Sequence, residues 1–67
     1  MNIDIRKNII SNFKDAKEDE IKASIISAIE EKDEVTLPGM GVFFELLWYN
    51  CNTDEKEFIL RKIKEKL

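Results

Sequence analysis

The chain contains no histidine, one cysteine, one proline and two glycines in 67 residues. Without an imidazole it lacks the side chain most often used to move protons near neutral pH. Ser11, Ser24 and Ser27 then have no evident base to activate them, and Cys51 has no base partner either. No Cys/His set exists for zinc. A single thiol cannot close an internal disulfide, which points to a reducing, intracellular setting; Cys51 reads as a small apolar residue. No apolar run is long enough to span a bilayer: the longest, from Val42 to Tyr49, is interrupted by Glu45. Met1 to Lys7 holds Asp4 and no apolar h-region, so no signal peptide is expected. An excess of positive charge is missing as well. Eleven basic residues face fourteen acidic ones, for a net charge of -3 and a pI near 4.9. That argues against broad attraction to nucleic acid or anionic lipid.

What is present is enough for one small fold over residues 1–67. Apolar residues make up 43% and charged residues 37%. Ile, Leu and Phe are frequent enough to argue against long disorder. A chain of this length buries about 60% of the surface it exposes when unfolded. It has room for one modest core and no deep cleft, so its stability depends on regular helix packing or self-association.

Hydrophobic spacing predicts four short helices. The first covers about Ile3 to Lys14, with Ile5, Ile9, Ile10 and Phe13 on one face and Asn2 or Asp4 as its cap. Asp15 to Glu20 is a charged break, and Asp15 with Glu18 has the spacing of a variant capping box. A second helix follows to about Lys32, burying Ile21, Ile25, Ala28 and Ile29. Its first turn carries Glu18, Asp19 and Glu20, where the helix dipole favours negative charge. Asp33 to Gly41 is the connector. Val35, Thr36 and Leu37 read as extended, Pro38 disfavours a helical Leu37, and Gly39 and Gly41 mark a tight turn or a close backbone approach.

Residues 42–49 fit two patterns. As a strand, Val42, Phe44, Leu46 and Trp48 share one face. As a helix from Met40 to Cys51, the stripe is Met40, Phe44, Leu47 and Cys51, widened by Phe43 and Trp48. The helix is favoured because no breaker interrupts it and Glu45, Leu46 and Leu47 are good helix formers. Such a helix is apolar nearly all round, as expected of a central helix or one in an interface. Thr53 is the expected cap of a last helix whose inner stripe is Ile59, Leu60, Ile63 and Leu67, with acids at its start and Arg61, Lys62, Lys64 and Lys66 at its end.

Three side-chain groups remain as candidates. The acidic run Glu30, Glu31, Asp33 and Glu34 reads as a solvated turn, since it lacks the alternating ligands of a calcium loop. Phe43, Phe44, Leu47, Trp48 and Tyr49 form a candidate interface; base stacking would need a basic groove beside the rings, whereas the nearest charge is Glu45. Arg61, Lys62, Lys64 and Lys66 form the one cationic feature and are the candidate nucleic-acid contact. Residues 53–67 hold five basic and four acidic residues, against six and ten in residues 1–52.

The segment Leu37-Pro38-Gly39-Met40-Gly41-Val42-Phe43-Phe44-Glu45-Leu46-Leu47-Trp48 resembles the core motif of the small acid-soluble spore protein I family, which reads L-P-G-[LM]-G-V-[LF]-F-E-[VIL]-[IL]-W. The Ile-rich first helix, the Ser24 to Ile29 helix and the Asp54-Glu55-Lys56 helix agree in kind, so the likeness covers most of the chain. It implies a protein made in the developing forespore of an endospore-forming bacterium and kept in the spore core, and it hands over no molecular activity. It does not imply DNA binding, because these minor spore proteins share a name but not a sequence with the DNA-coating ones. A weaker likeness, to bacterial histone-like DNA-bending proteins, rests on two helices followed by Glu34 to Gly41. It would make Val42 to Leu46 a strand and the protein a dimer, but the basic DNA-embracing arms of that family are missing.

The sequence therefore leads to an all-α bundle of four short helices with a Pro-Gly-x-Gly turn before the third. No cofactor, metal, membrane or small-molecule substrate is expected. The function expected is a spore-core role exercised through protein contacts or self-association; the alternative is a nucleic-acid-associated module built on the basic last helix.

Overall fold

In the computed structural model, which describes residues 4–67, the Asp4 side chain accepts a hydrogen bond from the Lys7 backbone N–H at 3.0 Å. That bond satisfies one of the free donors at the start of α1, Ile5–Phe13. The expected start at Ile3 and the alternative cap Asn2 lie outside the described residues. α2 runs Glu18–Glu31, a 3-10 turn Glu34–Thr36, α3 Leu37–Asn50 and α4 Thr53–Glu65. There is no strand among the described residues. The fold is a small all-α bundle, as the periodicity requires.

α3 is the centre. α1, α2 and the 3-10 turn all pack on it. Phe13 of α1 meets Phe43 edge-on, with ring centroids 5.0 Å apart and planes at 78°, a geometry that aromatic quadrupoles favour. Gly39 allows the closest approach: a Cβ there would lie 3.2 Å from Ile9 Cδ1. Among the described residues Val42 is the one buried hydrophobic residue, 5% exposed. Ile9, Phe13, Ile21, Ile25, Ala28, Met40 and Phe43 are half-buried.

Several local expectations are corrected. The strand reading of residues 42–49, and with it the strand implied by the histone-like resemblance, does not hold: these residues are helical. The 3.6-residue stripe gives α3 neighbours along its length, and an isolated strand would have no ladder partner.

The Pro-Gly-x-Gly segment opens α3 itself, and the reversal ahead of it is the 3-10 turn. Asp33 builds that turn, its carboxylate accepting from the Val35 N–H at 2.9 Å and its carbonyl from the Thr36 hydroxyl at 2.7 Å. Pro38 then falls in the first turn, where a missing N–H removes no helical hydrogen bond. Leu37 is helical, φ -60 and ψ -42, although a following proline disfavours this. Neither glycine has positive φ.

The Asp15–Glu18 box does not form. The N-cap of α2 is Lys17, without a side-chain cap, and the three first-turn acids supply the stabilising charge instead. α2 ends on Lys32 in the left-handed region, φ 53 and ψ 32. Ile29, expected to be buried, is 60% exposed beside Leu37, because α3 begins below it and leaves a shallow hollow.

The cap of α4 is Asn52, one residue before Thr53. Asn52 Oδ1 accepts from the Glu55 N–H at 2.8 Å and Glu55 Oε1 accepts from the Asn52 N–H at 2.9 Å, a reciprocal capping box. The inner stripe of α4 does not pack as expected. Ile59 is half-buried, while Leu60, Ile63 and Leu67 are exposed.

Candidate functional site

The three-helix body leaves an apolar groove of about 620 Å³ between α1, α2 and α3. Ile10 and Phe13 supply one wall, Ile21 and Ile25 another, and Phe44, Leu46 and Leu47 the third. Lys14 is the one charged lining residue. Spacing explains the arrangement. Met40, Phe44 and Leu47 recur at i, i+4 and i+7 on α3, and α1 and α2 cover the adjoining face of α3 without closing over this stripe.

The candidate interface residues are not all on one surface. Phe44 and Leu47 line the groove and are exposed. Phe43 also reaches its floor, but its ring is engaged by Phe13. Trp48 is half-buried. It stacks edge-on against Phe44 at 6.0 Å and carries Lys56 Nζ 5.2 Å from its ring centroid, within cation–π range. Tyr49 is 79% exposed and lies away from the groove.

Glu45, the charge inside the apolar segment, is paired rather than free. Arg6 Nε and Nη2 donate to Glu45 Oε2 and Oε1, each at 2.6 Å. This bidentate clamp fastens α1 to α3. The hydrogen bond from the guanidinium pulls the Glu45 pKa below its ordinary value; desolvation opposes it and the Arg6 charge adds to it. The same hydrogen bond raises Arg6.

The four basic residues of α4 do not share one face. At 100° per residue, Lys64 borders the apolar stripe on one side and Lys66, with Lys62 beyond it, on the other, while Arg61 lies on the far face. Phe58 lies opposite the stripe, with Arg61 Cζ 5.9 Å and Lys62 Nζ 5.6 Å from its ring. Lys62 also pairs loosely with Glu65, at 3.9 Å.

A second hollow, of about 520 Å³, is lined in part by Asn8, Ser24, Ser27, Glu31 and Thr36. Its polar groups are ordinary. Ser27 donates to Glu31 at 3.3 Å, which ties one turn of α2 to the next. Among the described residues no three His, Cys, Asp or Glu side chains gather as metal ligands, so the acidic run is spread along the end of α2 and the 3-10 turn. No described helix is long and apolar enough to cross a membrane. Sequence reasoning missed the Arg6–Glu45 clamp; its signal was a lone carboxylate within an apolar helix.

The sequence profile of the family described as "Small, acid-soluble spore protein I" matches residues 3–67. The chain belongs to this family. It is 39% identical to the small, acid-soluble spore protein I of Halalkalibacterium halodurans, covering 100% of this chain and 98% of that one. It is 31% identical to the protein of the same name from Bacillus cytotoxicus, over 100% of this chain and 96% of the relative. A Bacillus cereus relative is also 31% identical, over 100% of this chain and 97% of its own length. No solved structure matches the chain. Membership gives this small acid-soluble spore protein a spore-associated role without enzymatic activity.

Proposed function

We propose that this chain is a non-enzymatic protein of the forespore and spore core that acts through protein contacts made by its apolar surface. One observation carries the reading: among the described residues Val42 is the one buried hydrophobic residue, while Phe44, Leu46 and Leu47 on α3 and Leu60 and Ile63 on α4 are exposed. Exposed apolar residues that line one groove and one helix stripe mark contact sites, whereas scattered ones would not. The electrostatics support the same reading. Residues 1–52 carry a net charge of -4, six basic against ten acidic, and a phosphate backbone is repelled by such a body.

The test is a titration of labelled duplex DNA with the full chain at low and physiological salt. No binding at either salt is the expected result. Micromolar binding that weakens with salt, and disappears when Arg61, Lys62, Lys64 and Lys66 are replaced by glutamine, would overturn the reading in favour of a nucleic-acid module.

A further inference from the structure

We infer that the groove between α1, α2 and α3 is the seat for α4 of a second copy of this chain, and that the exchange is reciprocal. The inference rests on the protein-contact reading and names its partner.

The first argument is area. The chain exposes 6154 Å², whereas a compact monomer of 7.9 kDa exposes about 4,400 Å². The excess is about 1,700 Å², more than twice the roughly 800 Å² per partner that a standard interface covers. The radius of gyration agrees: 13.2 Å against about 11 Å for a compact chain of this length. A second copy has enough surface to cover, and it offers the same surface in return.

The second argument is fit. α4 spans about 20 Å at 1.5 Å per residue. It presents Ile59, Leu60 and Ile63 as a continuous stripe, with Ile63 46% exposed. The groove is apolar on all three walls. An amphipathic helix laid in an apolar groove is a common recognition mode, read through anchors at this spacing.

Charge points the same way. The stripe is bordered by Lys64 on one side and Lys66 on the other, and their stems can lie on apolar surface while the amines stay in water. Residues 53–67 carry a net +1, five basic against four acidic, and the body carries -4. Close to the groove the charges are mixed: Glu18 and Lys22 share with Ile21 and Ile25 an adjoining hollow, and Lys14 lines the groove itself, so the complementarity is one of net charge. Each copy therefore brings a slightly basic helix to an acidic body.

The third argument is why α4 does not fill the groove of its own chain. Three local interactions mark its departure from α3. The Cys51 N–H donates to the Trp48 carbonyl at 3.2 Å. Asn52 and Glu55 close their capping box. Lys56 sits over Trp48. The connection holds only Cys51 and Asn52, both extended, with ψ 143 and -178. Folding α4 back over α3 would break the Lys56–Trp48 contact, the one of the three that spans the junction, while pairing with a second copy keeps all three. A reciprocal exchange buries the same patches on both copies and closes on itself, as a two-fold dimer must.

Light scattering on the full chain across a range of concentrations tests this, with circular dichroism to follow helix content. The expected mass is twice 7.9 kDa. Ile63→Glu on the stripe and Leu47→Glu on the groove wall each shift the protein to monomer while the helices persist. Tyr49→Glu, on an exposed residue away from the groove, leaves the dimer intact. A strict monomer at every concentration overturns the exchange, and so does a dimer indifferent to both Ile63→Glu and Leu47→Glu. Either result leaves the broader protein-contact reading standing with a different partner, since only salt-sensitive DNA binding removes that reading.

Discussion

Arg6 and Glu45 are thirty-nine residues apart in sequence and share two hydrogen bonds of 2.6 Å. The pair is the one long-range polar clasp among the described residues, and it fastens the middle of α3 to the start of α1. Both side chains remain partly in water, at 67% and 37% exposure, so the pair positions α1 more than it stabilises the fold. Its pH dependence has a definite sign. The folded pKa of Glu45 lies below the unfolded one, so its contribution is complete above the ordinary carboxylate range, near pH 4.3. It is lost as pH falls through the lower folded value. Thermal midpoints of the wild type and of Glu45→Gln, followed by circular dichroism from neutral pH into acid, should differ by a steady amount and then converge. A gap that widened in acid would contradict the clamp.

The two glycines of α3 give opposite expectations. Nothing lies within 4 Å of a Cβ placed on Gly41, so Gly41→Ala is expected to stabilise by about 0.5–1 kcal/mol through helix propensity and a less flexible unfolded chain. At Gly39 the new Cβ meets Ile9 Cδ1 at 3.2 Å, and the methyl must yield. Gly39→Ala should gain less than Gly41→Ala, or nothing. Urea midpoints at unchanged slope measure the difference.

Val42 should stand apart from every exposed apolar residue. Val42→Ala removes about two buried methylene equivalents and leaves a gap, for a loss of about 1.5–3 kcal/mol. Tyr49→Ala, at a surface position, should stay within about 0.5 kcal/mol of the wild type. Equal losses in chemical denaturation would mean that the core does not lie at the α1–α3 contact.

The location of the α4 cap is open to a direct check. Asn52→Ala removes the side-chain half of the capping box, the bond from the Glu55 N–H to Oδ1, leaves the backbone half in place, and should cost about 1 kcal/mol. Thr53→Ala, at the first helical residue, should cost less. Helix content and urea midpoint of the two variants decide the order, and a larger loss at Thr53 would move the cap back to where spacing first suggested.

At the end of α2, Lys32 holds a left-handed conformation that costs a residue with a Cβ about 1 kcal/mol. Lys32→Gly should recover most of that as a higher urea midpoint. A decrease would show that the Lys32 side chain contributes more than its backbone costs.

The sequence carried the helices well and their junctions poorly. The stripes Ile9 with Phe13, Ile21 with Ile25, and Met40, Phe44 and Leu47 were readable because helical periodicity repeats over several turns, and each repetition adds signal. Caps depend on a single hydrogen bond. Asn52 and Thr53 are both good cap formers, and the choice between them turns on which one places Glu55 three residues on. Pro38 shows a preference overridden: a disfavoured Leu37 conformation is tolerated because Asp33 and Thr36 have already turned the chain. Ile29, Leu60 and Ile63 were expected to be buried because periodicity marks an apolar face, yet it does not say which molecule covers that face. The groove was out of reach for a related reason, since it is the space between three helices and no spacing within one helix encodes it. The Glu45 partner lay beyond reach as well, since nothing local links Arg6 to α3.

With Val42 alone among the described residues sealed from water, little holds the helices of a single chain in step. Local opening of a segment costs roughly what its own buried contacts supply, and most segments here supply little. Backbone amides in α4 and in the first half of α2 would then exchange with solvent through small, separate openings, and only those of α3 beside Val42 would wait for the body to come apart. The chain then opens less as one cooperative block than as a set of helices held to α3 by a few contacts, Arg6 with Glu45 and Phe13 with Phe43 among them.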